Sequence, residues 1–276
     1  MALTVNTNLA SIKSMTNMSR TSRNLQGSFE RISSGLRITK AADDAAGLGV
    51  AESLDAQEIS ARQAMRNVND GISLIQTAEG ATNEVANILK RMRELAVQSA
   101  SETMATTERA YIQTEYLALE EEVNRIAAVT EFNGILLAEG TNTQVAVQVG
   151  VMNTSNDQIT VTFSDLRSTA LGIDSGTIGL DTAANAFAAI DDLDTALDSV
   201  SSSRAGLGAS QNRLDTSLRN LETYSENLAS AQSQIRDADF AWETAELSKN
   251  QIMQQAGTSI LAQANQLTQG ALSLLG

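Results

Sequence analysis

The sequence contains no cysteine, no histidine and no proline. Without thiols and imidazoles it can offer no thiolate nucleophile, no imidazole base, no disulfide and no Cys/His metal site. Proline supplies roughly 5% of an average chain, so its absence needs a physical reason. Aromatic residues reach only 3%, too few for the aromatic-lined pocket that usually holds a small molecule. Cationic excess is missing as well: 19 Lys and Arg stand against 33 Asp and Glu, a net charge of −14, and a phosphate backbone repels such a surface. Nowhere do ~18 consecutive apolar residues occur that could cross a bilayer, and the opening MALTVNTNLASIKSM lacks the apolar core of a cleaved secretory signal. The expectation is a protein with no cofactor, no metal, no nucleic-acid partner, no membrane insertion and no catalysis.

What is present is helical periodicity. The chain has 276 residues, 42% of them hydrophobic, enough for a real core. From Ile190 to Ile235 alternate steps of three and four trace a coiled-coil seam over six heptads. One of its two rows, Leu193, Val200, Leu207, Leu214, Leu221, Leu228 and Ile235, is apolar throughout, while the other carries Arg204, Gln211, Ser225 and Gln232. Such a helix would be on the order of 70 Å long, which predicts an elongated bundle. Met65, Val68, Ile72, Ile75, Ala78, Thr82, Val85, Leu89, Met92 and Leu95 form a second stripe, and Ile112, Tyr116, Leu119, Val123, Ile126 and Thr130 a third after the polar break at 99–107. Three amphipathic helices, two long and one shorter, can bury these stripes only against one another. Proline would kink or break each of them, which accounts for its absence.

Residues 134–180 differ: six glycines fall there, and Val145, Val147, Val149 and then Ile159, Val161, Phe163 alternate with polar neighbours. Alternation on both sides of the polar turn 152–157 predicts a small β-hairpin. The fold class is therefore mainly α, an elongated antiparallel helical bundle or coiled coil with a small β-hairpin region.

Both ends also read as helices, through Met18, Ser22, Leu25, Phe29, Ile32, Leu36 and through Ile252, Ala256, Ile260, Ala264, Leu267, Ala271, Leu274. The first forty residues sum to +5 and the last forty to −3, leaving −16 between them, so the terminal helices can pair with each other or with those of other copies. Their stripes are rich in Ala and Gln and poor in bulky side chains. Two such helices make a weak core alone, and are expected to order on assembly.

Local motifs are read blandly. Asp191, Asp192, Asp194 and Asp198 form a solvated helix face rather than a cation site. Asp43-Asp44 before Ala45-Ala46-Gly47-Leu48-Gly49 lacks the lysine and preceding strand of a phosphate loop and reads as a connector. Ser33-Ser34-Gly35 is a turn without a base partner, and Met65 and Met92 are core.

At the ends, a set of short blocks in fixed order resembles the bacterial flagellin family. On the N-terminal side they are Val5-Asn6-Thr7-Asn8, Arg31-Ile32-Ser33-Ser34-Gly35-Leu36-Arg37-Ile38, Asp43-Asp44-Ala45-Ala46-Gly47-Leu48, Asn69-Asp70-Gly71-Ile72-Ser73, Arg93-Glu94-Leu95-Ala96-Val97-Gln98-Ser99 and Thr130-Glu131-Phe132-Asn133-Gly134. On the C-terminal side they are Arg204-Ala205-Gly206-Leu207-Gly208-Ala209, Gln211-Asn212-Arg213-Leu214, Asp237-Ala238-Asp239-Phe240-Ala241, Gln255-Ala256-Gly257 and Gln263-Ala264-Asn265-Gln266. The resemblance covers about residues 1–140 and 185–276.

It implies a short family member without large outer domains, in which 1–43 and 234–276 form an inner core domain lining a channel. Residues 44–233 form a rod-like middle domain with its β-hairpin region at about 134–180. A metalloprotease insert, carried by some relatives, is excluded by the lack of histidine. Family members leave the cell without a cleaved signal, with an export chaperone, through the flagellar type III apparatus, and polymerise beside cap and hook-junction proteins into the extracellular filament used for motility. Inner-core contacts are assigned to Leu3, Leu9, Ile12, Ile260, Leu267 and Leu274, and the rod core to Leu193, Val200, Leu207, Leu214, Leu221, Leu228 and Ile235. A patch read by an animal Toll-like receptor maps to Arg91, Leu95, Gln98 and Glu115. The alternatives are the hook–filament junction protein of the same superfamily and, from another class, an enzyme or a cytoplasmic signalling coiled coil.

Overall fold

The computed structural model describes residues 7–174 and 178–273, with side chains as far as residue 266. Among the described residues the order is α1 (Leu9–Ser34), α2 (Ala45–Ser99), α3 (Thr106–Val129), β1 (Glu131–Phe132), β2 (Ile135–Leu136), β3 (Gln144–Gln148), β4 (Gln158–Thr162), α4 (Ser168–Leu171), α5 (Ala183–Arg236) and α6 (Phe240–Ser273). Two compact units emerge: residues 59–225, and residues 1–58 together with 226–276. The division falls inside α2 and α5 rather than in loops.

In the 59–225 unit the seams predicted from heptad spacing are buried. Leu193, Val200, Leu207, Leu214 and Leu221 of α5 are covered, and so are Val68, Ile75, Val85, Leu89 and Met92 of α2. Arg93 bonds Asp194, and Gly71 lies beside Leu214, so α2 and α5 run antiparallel here. Their third partner changes along the way. Around Leu89 and Val200 it is α3, through Ile112, Tyr116 and Val123, whereas around Ile75 and Leu214 it is the hairpin, through Val147, Ile159 and Val161.

The strands form where the alternation placed them. β3 pairs antiparallel with β4 in the register Val145↔Val161 and Val147↔Ile159, which turns Val147, Ile159 and Val161 toward the helices. That approach depends on Gly71: a Cβ there would come within 3.0 Å of Val147 Cγ2 and 3.3 Å of Leu214 Cδ1. A second, shorter hairpin, β1–β2, turns through Asn133 (φ 49°) and Gly134 (φ 77°). The left-handed pair is what a two-residue hairpin of type I′ requires, and Asn-Gly supplies it with little strain.

The segment after β4 is fixed by polar contacts that no periodicity announces. Ser99 Oγ donates to the Leu180 carbonyl at 2.6 Å, Leu180 N–H donates to Gln113 Oε1 at 2.6 Å, and Tyr116 OH donates to the Ile173 carbonyl at 3.2 Å. Asn124 accepts from Ser168 N–H at 3.0 Å and donates back to its hydroxyl. Ile173, Ile178 and Leu180 are thereby laid into the core. Burial, with the nearby carboxylates of Glu120, Asp192 and Asp174, holds the Tyr116 phenol far above its ordinary range, so it stays a neutral donor.

Three carboxylates of this unit are held below their ordinary range: Asp194 by the hydrogen bond from Arg93, Asp165 by that from Arg167 and Glu122 by that from Arg125. A depressed folded pKa contributes stability that is fully present above the unfolded value of about 4 and is lost as pH falls through the folded value. Thermal unfolding is therefore expected to be flat between about pH 7 and pH 5 and to shift downward toward pH 3. An Asp194→Asn chain should show a shallower acid slope, and a Tm that rises on acidification would contradict this assignment.

Candidate self-assembly interface

The second unit is built on α1 and α6. Asn8 caps α1, accepting from Ser11 N–H at 3.1 Å, and its Nδ2 donates to the Ala264 carbonyl at 2.9 Å. At the other end of the helix Arg31 meets the enclosed carboxylate of Glu243 at 2.9 Å. These two contacts, residue 8 with 264 and 31 with 243, fix the helices as antiparallel. Gly35, at φ 72°, ends α1 and turns the chain into a short clasp. There Arg37 N–H donates to the Arg236 carbonyl at 2.7 Å, and Ala238 N–H donates to the Gly35 carbonyl at 2.9 Å. Asp43 then ties the 39–43 turn by accepting from Lys40 N–H, Thr39 N–H and the Thr39 hydroxyl, which holds its carboxyl below the usual range. Asp44 accepts from Gly47 N–H at the start of α2, so only Asp43 and Asp44 of this block belong to the connector, and Ala45, Ala46 and Gly47 form the first turn of the helix that Asp44 caps.

The row of residues between α1 and α6 is made mostly of small and polar side chains. On α1 it runs through Ser11, Ser14, Met18, Thr21, Leu25, Ser28 and Ile32, and on α6 through Glu243, Leu247, Asn250, Gln254, Gly257, Leu261 and Ala264; all are at least half-buried. Both rows step by alternate threes and fours, the spacing that lets two helices stay in contact. This corrects the stripes expected from the sequence. Ser22 and Phe29 give way to their neighbours Thr21 and Ser28, and Ile252, Ala256 and Ile260 lie outside the row. The physical reason on α6 is that steps of four in succession, 252-256-260-264, drift around a helix, and on α1 that the small side chain of Ser28, facing the side of α6 that carries Gly257, lets the pair close where Phe29 would hold it apart.

The bulky apolar side chains are consequently left outside. On α1, Leu9 (70% exposed), Ile12 (54%), Met15 and Phe29 face solvent; on α6, so do Phe240, Trp242, Ile252, Met253 and Ile260 (55%). Charge is also withheld: residues 1–12 and 250–276 contain no Asp, Glu, Lys or Arg. Leu9, Ile12, Ile252, Met253 and Ile260 fall within those stretches, and exposed apolar surface without charges to solvate it is typical of surfaces that other molecules cover. Of the six residues assigned to inner-core contacts, Leu9, Ile12 and Ile260 are exposed and close to the uncharged stretches. Leu3 and Leu274 lie outside the described residues, as does the side chain of Leu267.

The remaining sequence-based sites are placed as follows. Leu228 is buried and Ile235 half-buried in this unit, whereas the five earlier members of the row belong to the other. On α2 and α3, Arg91 bonds Glu115 at 2.8 Å and Glu94 at 3.0 Å, with Gln98 exposed nearby on α2. Leu95 does not join them: it is 2% exposed, on the same helical phase as Met92 and Ser99, and packs into the core. An outside partner cannot reach it on the folded chain. Of the four clustered aspartates, Asp194 is paired with Arg93, and no group of three carboxylates that could hold a metal ion occurs among the described residues. No described helix is long and apolar enough to cross a membrane.

Comparison with known proteins bears on both helical ends. The model of the bacterial flagellin N-terminal helical region matches residues 5–143, and that of the C-terminal helical region matches residues 190–275. The chain is 44% identical over 273 residues to flagellin of Halalkalibacterium halodurans, covering 98% of this chain and 99% of the relative. It is 38% identical over 283 residues to the flagellar filament 33 kDa core protein of Treponema phagedenis, with 98% and 99% covered. Among solved structures, Bacillus cereus flagellin superposes with a TM-score of 0.50 at 34% identity, covering 60% of this chain and 94% of that one.

Proposed function

The chain belongs to the bacterial flagellins, structural subunits that polymerise into the extracellular flagellar filament, and from that premise we propose how this one does so. Copies join through the outward faces of α1 and α6, with Leu9, Ile12 and Ile260 at the contacts and Leu3, Leu267 and Leu274 extending them. Each contact joins different patches on the two copies and does not close, so growth continues. In this reading residues 1–43 and 234–276 supply the inner core and 44–233 the middle domain. One observation carries it: within a single chain the terminal helices pair through a row of mostly small and polar residues and turn nine large apolar ones outward.

The reading extends to the partners implied by the family: an export chaperone and the type III apparatus for exit without a cleaved signal, and cap and junction proteins at the filament's ends. It includes no catalysis, in keeping with a chain that has neither thiol nor imidazole. The exposed trio Arg91, Gln98 and Glu115 is the surface offered to a Toll-like receptor, and a receptor-cell reporter should respond less to Arg91→Ala monomer than to the native one.

Seeded growth tests the assembly. Purified chain added to sheared filament fragments should form sedimentable filaments visible by electron microscopy. The single Trp242, 61% exposed in the free chain, should move its emission to the blue as a neighbouring copy covers it. A chain that never elongates the seeds would overturn the reading. Filaments that form without change at Trp242 would remove the first turn of α6 from the contact.

A further inference from the structure

Methionine is the only sulfur in the chain, and the methionines divide by exposure. Met92 is enclosed between α2, α3 and α5, while Met65 and Met104 are half-buried against the two cores. Met18 sits in the row between α1 and α6, its Cγ 4.0 Å from where a Cβ on Gly257 would lie. Met15, Met152 and Met253, by contrast, are 57%, 63% and 56% exposed. Two of these three belong to the proposed assembly faces. Met15 lies three residues beyond Ile12 on α1, and Met253 lies seven residues before Ile260 on α6; both spacings keep a pair on one side of a helix.

We propose that Met15 and Met253 are sites of reversible oxidation by hydrogen peroxide or a related two-electron oxygen donor, and that their sulfoxides block assembly of the free chain. The proposal rests on the assembly reading above. In the step, a sulfur lone pair takes one peroxide oxygen, the O–O bond breaks, and the other oxygen leaves as water after proton transfer. The thioether is oxidised to the sulfoxide and the peroxide is reduced. The chain has no thiol to intercept the oxidant first. A sulfoxide oxygen is a strong acceptor, and on a face that packs against apolar groups of another copy it would be stripped of water without gaining a donor. Residues 250–276, around Met253, contain no charged group, so beyond Lys249 one turn earlier only neutral Asn, Gln, Ser and Thr side chains are at hand to compensate that oxygen. Once copies assemble, the same packing would shield both sulfurs, so the free chain is the sensitive form.

The test treats unpolymerised chain with hydrogen peroxide, locates sulfoxides by peptide mass spectrometry and then measures seeded elongation. Met15, Met152 and Met253 should oxidise well before Met92, and elongation should fall by roughly tenfold or more. Methionine sulfoxide reductases supplied with a dithiol should restore it. The volume-conserving pair Met15→Leu and Met253→Leu should elongate after the same treatment at whatever rate it shows untreated. Equal oxidation of Met92, undiminished elongation of a chain oxidised at both positions, or a Leu pair as sensitive as the native chain would each overturn the proposal. Reductase rescue uses the native chain and so decides the matter even if the Leu pair assembles poorly. Native, unoxidised chain that fails to elongate seeds would instead count against the assembly reading itself.

Discussion

Replacing Leu9, Ile12 and Ile260 together by Gln will give a folded chain that no longer forms filaments. The three side chains are 70%, 54% and 55% exposed, so their loss removes little from the isolated fold, and surface changes of this kind usually stay within about 0.5 kcal/mol. Gln keeps helix propensity close to that of the residues it replaces. In a filament the same side chains are covered by other copies, and burying a large aliphatic side chain contributes about 1.5–3 kcal/mol. Even at about 1 kcal/mol each, three losses raise the critical concentration more than about a hundredfold. Circular dichroism and thermal unfolding should match the native chain while sedimentation after seeding shows no polymer. Removal of the last ~20 residues, part of the uncharged stretch 250–276, should have the same effect by deleting one face outright. Filaments of normal length from either chain would show that the assembly surface lies elsewhere.

The largest effect on stability is expected at the opposite kind of position. Leu214 is fully buried, with its Cδ1 against Gly71 and the hairpin residue Val147 close by. Leu214→Ala leaves a cavity between α2, α5 and the hairpin, and should cost about 2–5 kcal/mol. Gly71→Leu attacks the same contact from the other side. A Cβ at Gly71 would already stand 3.0 Å from Val147, so the remaining atoms of Leu have no room unless the hairpin lifts, at about 1–3 kcal/mol or more. Both changes should lower Tm and the denaturant midpoint. Gly71→Leu should also release amide protection at Val145 and Val147 ahead of the helices, because β3 is the element displaced. Because the two residues touch, the double variant is expected to be non-additive. Loss of protection spread evenly over the unit would show that the hairpin and helices unfold together.

The contrast between these positions explains what could be read in advance. Where one helix must bury a continuous apolar row, as α5 does through Leu193, Val200, Leu207, Leu214 and Leu221, the spacing of bulky residues alone names the buried face. The same holds for β3 and β4, whose alternation at Val145, Val147, Ile159 and Val161 announces both strand and face. Leu95 shows the limit of carrying a motif over by resemblance: its neighbours reach the surface, but its own helical phase turns it inward. On α1 and α6 bulk misleads. The row that pairs is mostly Ser, Thr, Gly, Ala, Asn, Gln and Glu, punctuated by Met18, Leu25, Ile32, Leu247 and Leu261, and Phe29, Ile252 and Ile260 point away from it.

The sequence by itself determined the helical class, the seam of the long helices, the hairpin and the chemical poverty of a chain without Cys, His or Pro. Those properties follow from periodicity and composition, which act locally and survive without knowledge of the partner. Tertiary structure decided which face of each terminal helix is spent on the other. It also decided how Ile173, Ile178 and Leu180 are laid into the core by single hydrogen bonds with Ser99, Gln113 and Tyr116. Pairing of that kind depends on how closely two backbones approach and on contacts such as Arg31 with Glu243, between residues 212 positions apart. Nothing in the local order of residues encodes such a distance, so the outward face, and with it the surface available to other copies, became legible only once the helices were side by side.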